Sequence, residues 1–131
     1  MSLLEQNYSP SVMNGAKQGQ YTVGGTVTQA TNRTTGVTLN ALSGQITTNN
    51  TSLAAEATAV FTVTDNAVFA DDVVNVAIAG GSNGGGTIVF VQSTANGSFT
   101  IAVQNNNAAG GTAETGAIQI NFVVLKASQT S

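Results

Sequence analysis

The chain has no cysteine, no histidine and no tryptophan, a single proline, and in 131 residues only three basic and six acidic side chains. Each absence removes a class of function. Without cysteine there is neither a disulfide nor a thiolate metal site, so stability must come from packing and backbone ladders, and the redox compartment is left open. Without histidine the usual base for a serine or threonine nucleophile is missing, and no serine sits in a Gly-x-Ser-x-Gly elbow. Lys17, Arg33 and Lys126 against Glu5, Glu56, Asp65, Asp71, Asp72 and Glu114 give a net charge of −3. That is the wrong sign for a phosphate-neutralising stripe, so no nucleic-acid partner is expected. No run reaches the roughly 18 apolar residues of a membrane span, and Met1 to Asn7 shows neither a basic nor an apolar signal region. We therefore expect no membrane partner, and synthesis in a cytoplasm without a classical export signal.

What remains is Thr, Val, Ala, Asn and Gly, residues that suit half-buried strands joined by tight turns. A domain of this length buries roughly two-thirds of the surface its unfolded chain exposes, so one core suffices. Residues 1–17 stand apart as an N-terminal arm. There Leu3, Leu4, Tyr8, Val12 and Met13 follow no clean period, and Pro10 and Gly15 interrupt any helix. We expect this arm to be extended or partly disordered alone and to order on a neighbouring subunit, which makes those five residues the candidate partner-binding set; the bland alternative is a frayed terminus. Residues 18–131 form the second unit, in which period-two runs alternate with turn clusters at the spacing of an all-β sandwich or barrel.

The runs are Gly19 to Val23, Thr26 to Gln29, Gly36 to Asn40, Ser43 to Thr48, Ala57 to Thr64, Val73 to Ala79, Thr87 to Val91, Ser98 to Gln104 and Phe122 to Leu125. Gly24-Gly25 makes the first two either a hairpin or one bulged strand, for about eight strands in all. In Ala57 to Thr64, Ala59, Phe61 and Val63 share one face and the threonines the other. Thr87 to Val91 and Phe122 to Leu125 are apolar on both faces, which implies a central position or a second covered surface, as at a subunit interface. Leu53 to Ala57 reads as a loop or single turn rather than a helix.

The conspicuous motifs have bland readings. Gly80 to Gly86 is glycine-rich, but a strand rather than a helix follows and no lysine is near, so it reads as a flexible hairpin loop and not a phosphate cradle. Asp65, Asp71 and Asp72 supply too few oxygens at the wrong spacing for a calcium loop, and turn chemistry explains them better. With Glu56 and Glu114 they are also the sole material for a glycosidase carboxylate pair, whose separation nothing in the sequence fixes. Three Asn-x-Ser/Thr triplets are expected by chance in such a composition. Asn105 to Thr112 is an amide-rich connection that caps the domain or presents amides to a partner. No catalytic residue, metal site or cofactor site is assigned.

Gly24 to Thr48 reads Gly-Gly-Thr-Val-Thr-Gln-Ala-Thr-Asn-Arg-Thr-Thr-Gly-Val-Thr-Leu-Asn-Ala-Leu-Ser-Gly-Gln-Ile-Thr-Thr, and this string resembles the opening of a small β-domain of tailed-bacteriophage virion structural proteins. Ala57 to Thr64, Asp72 to Val74, Ala95 to Ile101 and Ile120 to Lys126 continue the likeness over about four-fifths of the chain. The resemblance implies a non-enzymatic protein with a jelly-roll-like antiparallel β-sandwich behind its arm. It also implies a homo-oligomer, a trimer favoured over a dimer, with the major capsid protein lattice as partner. The role it implies is a capsid decoration, or cement, protein on the outer surface of the head, made in the host cytoplasm. The rival expectation is a tail-fibre, spike or head-fibre tip that recognises a host glycan or protein through the Gly80 to Gly86 and Asn105 to Thr112 loops, with an enzyme as a residual third.

Overall fold

The computed structural model describes residues 24–127, which are all β with no helix among them. The strands are β1 (Thr26–Thr28), β2 (Val37–Thr38), β3 (Ser43–Thr47), β4 (Thr58–Thr64), β5 (Val73–Gly80), β6 (Thr87–Ala95), β7 (Ser98–Asn105) and β8 (Gln119–Leu125). They form two four-stranded sheets, in the orders β1-β3-β8-β5 and β2-β4-β7-β6. All eight overlap runs that the sequence offered as strands, although β6 and β8 extend well beyond theirs. Gly19 to Val23 and residues 1–17, arm included, fall outside the described residues.

The expectation of a purely antiparallel sandwich needs correction, because both sheets are mixed. β1 runs parallel to β3 and β2 parallel to β4, whereas β3/β8, β5/β8, β4/β7 and β6/β7 are antiparallel. These directions follow parity: if every connection reverses the chain, neighbours an odd number of strands apart are antiparallel and those two apart are parallel. Through its first half the chain alternates between sheets, so the preceding strand in the same sheet lies two back and the crossover runs through the opposite sheet. A period-two pattern is the same in parallel and antiparallel strands, so the pattern could not reveal this.

Parity also sorts the connections. Those from odd to even strands (β1–β2, β3–β4, β5–β6, β7–β8) gather at one end of the sandwich-like body, and those from even to odd at the other. Gly80 to Gly86 is thus a crossing between sheets and not the hairpin loop expected. The hairpin is β6–β7, closed by Asn96-Gly97 with Gly97 at φ 84°, a left-handed conformation that glycine adopts without strain.

The core lies between the inward faces. β4 contributes Phe61 and Val63, β7 Phe99, Ile101 and Val103, β3 Ile46, and β8 Ile120, Phe122 and Val124, with Leu53, Val68 and Ile118 from connections. Each such side chain contributes about 1.5–3 kcal/mol by leaving water. The rings of Phe99 and Phe122 meet across the two sheets at 5.3 Å and 56°, a tilted geometry that aromatic pairs favour. β8 is central, one of the two positions its apolar faces allowed, but β6 lies at an edge among the described strands, with Ile88 and Phe90 exposed. Residue pattern registers apolar faces and carries no information on neighbours.

Replacing the fully buried Phe99 by alanine (Phe99→Ala) should cost about 3–5 kcal/mol, read as a lower urea midpoint at unchanged slope. Thr62→Ala, on the exposed face of the neighbouring strand, should stay within about 0.5 kcal/mol.

Candidate functional site

At the odd-to-even end, the connections converge on one carboxylate. Glu114 is 0% exposed, and it lies in the β7–β8 connection, where its backbone pairs in both directions with Leu53 of the β3–β4 connection at 2.9 Å. Its Oε1 accepts hydrogen bonds from Ser82 Oγ (2.6 Å), Thr87 Oγ1 (2.6 Å) and the Gly84 N–H (3.0 Å), and its Oε2 from the N–H groups of Asn83 and Gly116 (2.9 Å each). Burial pushes this carboxyl up, but the bonds from Ser82, Thr87, Asn83 and Gly116 outweigh it and hold the pKa at about 2. A general acid needs the opposite shift. Gly116 is required by space: a Cβ there would stand 1.9 Å from the Gly81 carbonyl oxygen and 2.8 Å from Glu114 Oε2.

Arg33, 4% exposed in the β1–β2 connection, joins the same hub. It donates through Nε to the Thr51 carbonyl, through Nη1 to Thr48 Oγ1 (3.1 Å), and through Nη2 to the carbonyls of Gly116 (2.8 Å) and Glu114 (3.3 Å). Burial lowers the guanidinium pKa and the Glu114 charge offsets part of that. Asn107 Nδ2 donates to the carbonyls of Gly84 (2.7 Å) and Thr112 (2.9 Å), so the Gly80 to Gly86 and Asn105 to Thr112 loops are fastened to each other. Asn105 Nδ2 bonds the Leu53 and Thr112 carbonyls, which makes this amide a cap rather than a displayed group.

The opposite end carries a second polar cluster. Asp65 is fully buried; its Oδ1 accepts from the N–H groups of Ala41 and Ala67 (3.0 Å each), while Oδ2 has no hydrogen-bond partner. Burial raises its pKa, with the Ala67 and Ala41 bonds and the Lys126 charge pulling the other way. Lys126 Nζ bonds Asp72 Oδ2 at 2.6 Å and the Ala67 carbonyl, and stands 4.7 Å above the centre of the Phe69 ring. Among the described residues no three carboxylates, or other potential ligands, group together where they could hold a metal ion. The fold thus splits the carboxylates that the sequence offered as glycosidase material, with Glu56 and Glu114 in connections at one end and Asp65 and Asp72 at the other, while the calcium candidates Asp65, Asp71 and Asp72 share the β4–β5 connection without grouping as metal ligands.

The surface is short of charge and holds exposed apolar side chains. Ile88 (43% exposed) and Phe90 (39%) stand on the outward face of β6, and Phe69, Val73 and Leu125 are exposed around the start of β5 and the end of β8. A groove of about 460 Å³ beside β1, β3 and β8 is lined by Gly24, Gly25, Gly44, Gln45, Asn121 and Phe122 among others, without a titratable side chain. No described helix is long and apolar enough to cross a membrane. Leu3, Leu4, Tyr8, Val12 and Met13 lie outside the described residues. Sequence reading missed Arg33 as a buried anchor, since nothing in Asn32-Arg33-Thr34 distinguishes it from a solvated loop arginine. Compared with known proteins, the chain matches no family model, no curated protein and no solved structure.

The two fully buried acids, Glu114 and Asp65, have opposite pH signatures. Glu114 has a folded pKa of about 2 against an ordinary 4.5, so its stabilisation is complete above pH 4.5 and is lost as pH falls through about 2. A shift of that size corresponds to about 3 kcal/mol, which Glu114→Gln should remove at neutral pH, with a smaller difference between variant and parent near about pH 3. Asp65 has a raised folded pKa, so its ionisation penalises folding above that value and the penalty is relieved as pH falls. Asp65→Asn should therefore unfold at higher urea concentration than the parent at neutral pH. A lower midpoint would show that the buried carboxylate is net stabilising.

Proposed function

We propose that the chain is a structural protein of a tailed-bacteriophage particle, a capsid decoration or cement protein that binds the assembled head and holds adjacent capsomers. In this reading the body is a jelly-roll-like sandwich, the protein is a trimer on the outer capsid surface, and residues 1–17 reach a neighbour through Leu3, Leu4, Tyr8, Val12 and Met13. The sequence resemblance supports the phage assignment. The observation that carries the binding role is where the charges go: Arg33 and Glu114 are buried in the hub, and Asp65, Asp72 and Lys126 are engaged at the far end. What the strands turn outward is polar-neutral or apolar, the exposed charges among the described residues being Glu56, Asp71 and Lys126, all outside the strands, and such sheet faces suit docking.

A ligand that binds only the assembled lattice stabilises it by mass action. Several weak contacts in one oligomer combine into avidity, so each arm contributes modestly. The second reading, a fibre or spike tip, is favoured by one observation, the rigid fastening of the β5–β6 and β7–β8 connections through Asn107 and Gly84, which would preorganise a receptor-binding end.

Co-sedimentation with expanded empty heads and, separately, with host cells separates the two. Pelleting with heads alone is expected, and pelleting with cells alone reverses the order. Deletion of residues 1–17 should weaken head binding by more than about tenfold, through the loss of a multivalent contact.

A further inference from the structure

The eight strands contain no charged residue, so neither outward sheet face carries a formal charge. On one of them a row crosses three strands: Val60 of β4 pairs with Ala102 of β7, and Ala102 with Phe90 of β6. Ala102 is 0% exposed yet lies outside the core; it is buried from the outward side, flanked by its two larger neighbours. Ile88, one pleat along, extends the apolar surface beside Gln104.

β6 is also an edge among the described strands. It runs nine residues, Thr-Ile-Val-Phe-Val-Gln-Ser-Thr-Ala, with no lysine and no proline. Those are the devices that usually keep an exposed edge from pairing, and a register shift between Val91 and Ser93 is the one blunting feature present. The far edge of the same sheet, β2, is only two residues long.

Charge selects what covers this surface. An acidic or basic partner would lose water without gaining a counter-charge. A second copy brings the same uncharged surface, and near a symmetry axis no group then meets its own sign. We propose that the outward face of β6 and its edge, unpaired among the described residues and centred on Ile88 and Phe90, is where copies of this chain meet, with Phe90 close to its counterpart across the axis. This rests on the homo-oligomer reading above and names its interface.

The absence of cysteine gives a clean probe, since Phe90→Cys introduces a single thiol. A disulfide requires Cβ atoms within about 4.5 Å. Mild oxidation should therefore give a disulfide-linked dimer of the Phe90→Cys protein on a non-reducing gel, while Val73→Cys, somewhat more exposed (45%) and on the other sheet, runs as a monomer. Light scattering should show a wild-type multimer and a drop to monomer mass for the Ile88→Lys/Phe90→Lys variant. Both substitutions fall on exposed side chains, and if that variant does not fold the cysteine pair decides. A monomeric wild type, a charged variant that keeps the wild-type mass, or cross-linking of Phe90→Cys no greater than of Val73→Cys overturns the inference. Neither readout involves phage heads, so failure to bind heads with cross-linking intact would sink the cement role alone.

Discussion

The buried carboxylate of Glu114 is the interaction on which the rest of this structure depends. A carboxylate removed from water without partners costs several kcal/mol; here five donors from the β5–β6 crossing, the first residue of β6 and the β7–β8 connection surround it. Arg33 extends the network to the β1–β2 connection, and the Leu53 pairing extends it to the β3–β4 connection. Four crossings between sheets are thereby fastened at one end. A sandwich held by apolar packing alone would leave these glycine- and asparagine-rich crossings free to adopt many conformations, with the entropy cost that ordering them implies.

This arrangement shapes what the protein can do. Charge used to hold loops together is not available to bind substrate, and a carboxyl held near its lowest pKa range is a poor proton donor. Asp65, whose pKa moves the other way, is sealed from solvent. With Arg33, Glu114 and Asp65 buried inside, the larger continuous surfaces are the uncharged strand faces, the groove beside Phe122 and the exposed apolar side chains of β6 and of the Phe69 region. Such surfaces bind by shape and apolar burial, which is what the proposed docking on a lattice or on a second copy requires.

Parity of strand connections links the two ends of the molecule. Because each connection reverses the chain, loops distant in sequence meet: Arg33 with Glu114 at one end, Asp65 with Ala41 and the Gly97 turn at the other. The Asp72–Lys126 pair follows from the same geometry, since the residues flank the neighbouring strands β5 and β8, whose ends Val73 and Leu125 are paired.

The residues themselves determined the strands. Alternation in Ala57 to Thr64 and Ser98 to Gln104 named the inward side chains Phe61, Val63, Phe99, Ile101 and Val103, because side-chain direction in a strand depends only on local pleat. The two apolar faces of Phe122 to Leu125 left a central position and a second covered surface both open, and the strand order placed it inside its sheet. Local pleat says nothing of which strand lies alongside, so the parallel pairs, the edge position of β6 and the inter-sheet course of Gly80 to Gly86 were decided by tertiary structure. So was the role of Glu114, a solvated loop acid to any local reading, whose partners Ser82, Thr87 and Arg33 lie far away along the chain. Long-range hydrogen bonds have no periodicity to betray them, and only the folded chain could bring these groups together.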